Sequence, residues 1–137
     1  MIVDVKGLLM GRIATFIAKK ALEEEEIIVI NCKDVVLSGG PKAIISHYKK
    51  KLELGNARWG PFYIRNSAML FKKAVRGMLP WHNTRGREAY KRIKCYATSP
   101  KDLKGKPITI EEFHISKHKS PKHITLGEVS KHLGGKR

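Results

Sequence analysis

Thirteen lysines and arginines lie between residues 49 and 94 of this 137-residue chain, interleaved with tryptophan, histidine and glycine. They are Lys49, Lys50, Lys51, Arg58, Arg65, Lys72, Lys73, Arg76, Arg85, Arg87, Lys91, Arg92 and Lys94, and Trp59, Trp81 and His82 stand among them. The chemistry these residue types support is the holding of a polyanion. Arginine grips phosphate through two parallel hydrogen bonds, lysine supplies a mobile point charge, and tryptophan or histidine stacks on an exposed base. The alternative role for Trp59, Phe62, Tyr63 and Trp81 is to anchor loops in the core, with only the charges outside.

The distribution of charge favours the first role. Residues 35–100 hold 14 basic side chains and two acids, Glu53 and Glu88, which is +12 of the chain's formal +16. Residues 1–34 come to −1 and residues 101–137 to +5. Field concentrated in one segment attracts polyanions and opposes self-association, and nucleic acid is the first partner to expect.

Other constellations fit chemistry less well. Glu53 and Glu88 sit among lysines and arginines on predicted helices, where a solvated ion pair is the expected role. Ser38-Gly39-Gly40-Pro41 resembles a phosphate-holding turn, but it lacks the lysine–hydroxyl pair of a nucleotide-binding loop and the spaced glycines of a dinucleotide fold. His114 and His118 stand four apart with His123 beyond, and no third ligand follows at a zinc spacing, so contact with RNA or solvent is expected of them and no metal site. Cys32 and Cys95 lie in strand-like runs without a second thiol at metal or redox spacing, and read as small buried apolar residues. The run Glu23-Glu24-Glu25-Glu26 ends a helix against its macrodipole and marks a side turned away from the polyanion. No cofactor and no small-molecule substrate is implied.

The elements that must position the basic residues are legible from periodicity. A strand at residues 1–5 leads to a helix from Gly11 to about Glu25, with Ile13, Ala14, Ile17, Ala18, Ala21 and Leu22 on its apolar stripe. Residues 26–31 form an apolar run without alternation, as in a parallel sheet covered on both faces. Strand, helix and strand within about 30 residues make a crossover unit. A second helix runs from Pro41 to Leu54 and buries Ile44, Ile45, Tyr48 and Leu52. Ser67 is expected to cap a third, over 68–76, with Ala68, Met69, Phe71 and Val75 inward. A fourth spans Arg85 to Arg92, a strand follows at Lys94–Ala97, and a weak strand stands at Ile108–Ile110. Thr125 and Glu128 have the spacing of a capping box that opens a last helix. If the fourth helix is simply an exposed basic one, replacing Arg85 and Arg87 together weakens RNA binding and leaves the melting temperature nearly unchanged.

With 42% hydrophobic and 29% charged residues the chain can fold around a core. Its longest apolar runs fall far short of the roughly 18 residues a membrane span requires, and no signal sequence follows Met1. A soluble, cytoplasmic protein is expected, organised as an α/β core over 1–100 and a basic C-terminal arm over 101–137 that ends in a short helix and belongs to the same domain.

Gly77-Met78-Leu79-Pro80, preceded by Ala74-Val75-Arg76 and followed by Arg85-Gly86-Arg87 and Lys94-Cys95-Tyr96-Ala97, resembles the family of ribosomal protein thirteen of the large subunit. Gly11-Arg12-Ile13-Ala14, Ile30-Asn31-Cys32-Lys33-Asp34 and Ser38-Gly39 extend the likeness over almost all of residues 1–100. The resemblance implies a three-layer α/β/α domain on a four-stranded, mostly parallel sheet. It also implies a non-catalytic constituent of the large ribosomal subunit that binds large-subunit ribosomal RNA, adjoins other large-subunit proteins and helps assembly. The short segment between the first helix and second strand resembles archaeal and eukaryotic members, and the absence of a long helical extension at Arg137 resembles the archaeal ones. A general nucleic-acid-binding protein and a nucleic-acid-processing enzyme are the alternatives.

Overall fold

The computed structural model describes residues 1–119 and 121–135. The chain begins with β1 (Ile2–Asp4), α1 (Met10–Leu22) and β2 (Ile27–Ile30). β1 and β2 pair in parallel, with Val3 opposite Val29. In β2, Ile27, Val29 and Ile30 are buried, which matches a run that never alternates. The α1 stripe of Ile13, Ala14, Ile17, Ala18 and Ala21 is buried, while Lys19 and Lys20 occupy the last turn, where cations suit the helix dipole. The helix stops three residues earlier than expected, and Glu24 then takes a left-handed backbone at φ 68°.

A 3₁₀ turn (Cys32–Asp34) leads to β3 (Val36–Ser38), α2 (Pro41–Glu53), α3 (Ser67–Gly77), α4 (Thr84–Arg92) and β4 (Ile93–Cys95). β4 joins β2 on the side away from β1, again in parallel, so the main sheet has the order β1–β2–β4. The sheet therefore has three strands, not four. The expected strand at Ile108–Ile110 contributes one parallel bridge, Ile108 to Val3, flanked by two backbone bonds to Ile2 and Asp4. Pro107 lacks a donor on one side of it, and a 3₁₀ turn starts at Glu111 on the other, which leaves no length for a ladder. β3 belongs to a separate antiparallel pair with β5 (His123–Thr125).

The final helix, α5 (Leu126–His132), begins with the expected capping box. The Thr125 hydroxyl accepts from the Glu128 amide at 3.3 Å, and the Glu128 carboxylate accepts from the Thr125 amide at 3.1 Å. Leu126, Val129 and Leu133 are buried in the same core as Ile13, Ile27 and Phe71. Residues 124–133 are thus folded onto the core. Within the fold α1 packs on α3 and α4, and α3 also reaches β4 and α5.

Candidate nucleic-acid interface

α3 is the axis of the basic region. Its N-cap is Asn66, whose side-chain oxygen accepts from the Ala68 amide at 2.9 Å; Ser67, expected as the cap, is instead the buried first residue. Ala68, Leu70, Phe71 and Val75 are buried, and Met69, expected inward, is 47% exposed. Leu70 takes its place, because only the 68–71–75 stripe with its neighbour at 70 faces α1 and β4. The same geometry turns Lys72, Lys73 and Arg76 toward the surface.

There the cations rest on aromatic rings. The Lys72 ammonium lies 4.6 Å from the Tyr90 ring centroid, and the Arg76 guanidinium carbon 4.0 Å from that of Trp81. Trp81 meets Tyr90 edge to face at 5.3 Å. One cluster therefore joins α3, α4 and the turn between them, and its Arg76 and Trp81 line an open groove with Lys73, Leu79, Pro80 and His82. A second cluster joins α3 to α2. Lys73 sits 3.9 Å over Tyr63, and Lys51 lies 5.4 Å from Tyr48 and 5.7 Å from Tyr63. Adjacent residues 72 and 73 thus tie both clusters to one helix. Each exposed cation–π contact contributes roughly 0.5–1 kcal/mol, enough to bias a long side chain toward one position while its charge stays in water.

Among the described residues none of the thirteen basic side chains lies within ion-pair distance of a carboxylate; the resolved pairs join Lys20 to Glu23 at 2.8 Å and to Glu25 at 3.2 Å. Glu53 and Glu88 do not form the ion pairs expected of them. Burial pushes the Tyr48, Tyr63 and Tyr90 hydroxyls above the usual tyrosine range, so these rings stay neutral beneath their cations.

Not every basic residue joins the two clusters. Lys49 and Lys50 are exposed on α2, whose apolar side is only half-buried and not buried as expected. Arg58 and Trp59 form the tip of a loop, with the guanidinium 5.8 Å from the indole ring. Arg65 lies beside the Gly134 and Gly135 backbone at the end of α5. Arg85 donates to the Leu22 carbonyl at 3.1 Å, closing the C-terminus of α1, and Arg87 donates to the His82 carbonyl at 3.1 Å. These two are structural as well as cationic. Lys91 and Lys94 are exposed, and Arg92 is half-buried in the last turn of α4.

The remaining candidates are committed elsewhere. His114 Nδ1 accepts from the Ser116 amide at 3.2 Å, and its ring packs on Gly7. His118 Nε2 lies 3.2 Å from an Arg12 nitrogen. The two histidines pin residues 113–118 over the β1–α1 turn, where Leu9 donates to Phe113 and Ile115 to Gly7. Among the described residues no cluster of three or more metal-ligating side chains occurs. In the Ser38–Pro41 turn the Gly39 amide already donates to the Lys122 carbonyl at 2.9 Å. The acidic run is not idle, since Lys20 holds Glu23 and Glu25, raising the Lys20 pKa and lowering that of Glu23. Cys32 is buried against Cys95, and that neighbour together with burial drives its thiol pKa far up, leaving it protonated and inert.

The sequence model of ribosomal protein L13 matches residues 1–102, three-quarters of the chain and all of the α2–α4 face. The chain belongs to the ribosomal protein L13 family. Among similar proteins is the large ribosomal subunit protein uL13 of Archaeoglobus fulgidus, 38% identical over 97% of this chain and 86% of its own length. The protein of the same name from Methanocaldococcus jannaschii is 38% identical over 98% of both chains. That from Methanopyrus kandleri is 35% identical over 97% of this chain and 86% of its own. The likeness to these L13 proteins runs through the C-terminal third as well, where α5 joins the core. Tyr48, Tyr63 and Tyr90, the rings that seat the lysines of this L13 chain, were not legible as part of a site. Tyr48 and Lys51 are three apart on α2, a local helical spacing, whereas Tyr63 and Tyr90 stand 10 to 18 residues from Lys51, Lys73 and Lys72, where no local spacing signals the contact.

Proposed function

We propose that this L13 chain is a non-catalytic structural constituent of the large ribosomal subunit. It binds folded large-subunit ribosomal RNA through the α2–α4 face, adjoins neighbouring subunit proteins in the cytoplasm and assists assembly by neutralising phosphates that would otherwise repel. In that reading the helices flank the sheet in the α/β/α stack the resemblance implies.

The observation that carries it is the row of lysines and arginines seated on aromatic rings and free of carboxylate partners. Cations intended for solubility gain nothing from such seating, whereas cations intended for a fixed backbone gain register. The curated relatives named for the large subunit support the same reading. A nucleic-acid-processing enzyme is less well supported, because the histidines and the glycine turn it would use are occupied by internal contacts.

The test is binding of the purified protein to large-subunit ribosomal RNA and to duplex DNA of equal length across a salt series. If about six to ten phosphates are contacted, affinity falls by roughly 10³–10⁵ between 50 and 200 mM salt. A preference for the RNA that persists at physiological salt supports the reading. Equal binding to both polymers leaves a general nucleic-acid-binding protein, and a flat salt response removes the electrostatic clamp altogether.

A further inference from the structure

The loop between α2 and α3 carries two large aromatic side chains in the open. Trp59 is 81% exposed and Phe62 is 77% exposed, with Leu54 at 62% at the loop's start. Exposure of this kind is costly in water and has no role in folding, since these side chains lie outside the hydrophobic core. Trp81 differs, being half-buried between Tyr90 and Arg76.

The loop is nevertheless built to a fixed shape. Asn56 and Gly60 exchange two backbone hydrogen bonds, of 3.1 and 2.8 Å, and the Asn56 side chain accepts from the Arg58 amide at 3.0 Å. Gly55 adopts φ 90°, and a Cβ there would fall 2.3 Å from the Gly60 carbonyl oxygen and from Pro61 Cδ. The two ends of the turn are thus pressed together, which leaves Arg58 and Trp59 at its apex. A rigid turn that presents a bare indole is a preorganised contact surface.

The charges around the turn select the occupant. Lys49, Lys50, Lys51, Arg58 and Arg65 lie in or beside it in the sequence against one carboxylate, Glu53. A protein partner with an apolar pocket would have to bring acidic residues to meet them, whereas a nucleotide supplies a flat π-face and a phosphate together. We propose that the turn is a base-stacking probe, with Trp59 receiving an unpaired base of the bound RNA while Arg58 and the α2 lysines hold the adjoining phosphates. This deepens the ribosomal RNA reading and rests on it.

Stacking and phosphate contact leave different signatures, because removing an aromatic lowers affinity without altering counterion release. Large-subunit ribosomal RNA is titrated against the full chain and against Trp59→Ala and Trp59→Phe, with the salt slope and tryptophan emission recorded. Trp59→Ala weakens binding by about 5- to 150-fold at an unchanged salt slope. Trp59→Phe retains most of the affinity, and the share of the emission quenching that comes from Trp59 is lost in it, leaving only that of Trp81. The side chain is exposed, so both variants melt like the unaltered protein. Unchanged affinity of Trp59→Ala overturns the inference. So does normal binding of that variant to naked RNA combined with failure to join subunits that hold the neighbouring proteins, which assigns the turn to a protein contact. If the unaltered chain shows no preference for the RNA, the functional reading itself has failed before any substitution is made.

Discussion

Replacing Gly86 by alanine should destabilise the protein, although alanine is the better helix former. Gly86 is the third residue of α4, and a Cβ built on it would lie 2.1 Å from the Pro80 carbonyl oxygen and 2.6 Å from its carbon. Ordinary contact begins near 3.4 Å, and both opposing atoms are backbone. α4 must therefore retreat by roughly 1 Å from the turn, drawing the fully buried Ala89 and Ile93 with it. Overpacking of this sort costs about 1–3 kcal/mol, and a substitution so near the helix start recovers only part of the ~1 kcal/mol propensity gain. For a chain of this length the melting temperature should fall by about 3–10 °C. Gly11, the second residue of α1, is the matched control, because nothing lies within 4 Å of its Cβ position. Gly11→Ala, which recovers the same partial propensity gain without the clash, should raise stability by about 0.3–0.5 kcal/mol. Thermal melts of both variants, followed by circular dichroism, decide the matter. Shifts in the same direction, or a Gly86→Ala protein as stable as its parent, would refute the close seating of α4 on the Pro80 turn.

Three further outcomes follow. Converting Lys72 and Lys73 together to glutamine should lower the slope of log affinity against log salt by about 2 in filter-binding assays while weakening binding to all RNA sequences alike; an unchanged slope would mean that these lysines meet no phosphate. Arg85→Ala should cost about 0.5–1.5 kcal/mol in denaturant unfolding, because the Leu22 carbonyl loses its donor, and a loss of zero would show that water replaces the guanidinium fully. Cys32 has its thiol pKa raised in the folded state, so its contribution to stability is complete below the unfolded value of about 8.5 and is lost as pH rises above it. Unfolding between pH 8 and 10 should show a decline that Cys32→Ala flattens, and parallel curves for the two proteins would contradict the assignment.

The parts of this fold that repeat at a fixed period were visible in the sequence. The stripe Ile13, Ile17 and Ala21, the unbroken apolar run of β2 and the Thr125–Glu128 box all state a local rule that the structure obeys. What was not visible depends on contacts between distant segments. Ile108 makes a single bridge and not a strand because Pro107 and the Glu111 turn confine it. Arg85 reads as an ordinary exposed cation until α1 is seen to end beside it. His114 and His118 carry no sequence signal of their partners, yet close back on Gly7 and Arg12 across more than 100 residues of chain. The basic composition of the site was plain, while its seating on Tyr63 and Tyr90 was set by tertiary packing.

Lysine accessibility, measured by the acetylation rate of each side chain with and without large-subunit ribosomal RNA, tests most directly which face meets the nucleic acid. The account predicts strong protection of Lys51, Lys72 and Lys73, with protection also at Lys49 and Lys50 and little change at Lys19 and Lys20 beside the acidic run. Equal protection around the whole molecule, or protection centred on Lys19 and Lys20, would contradict it.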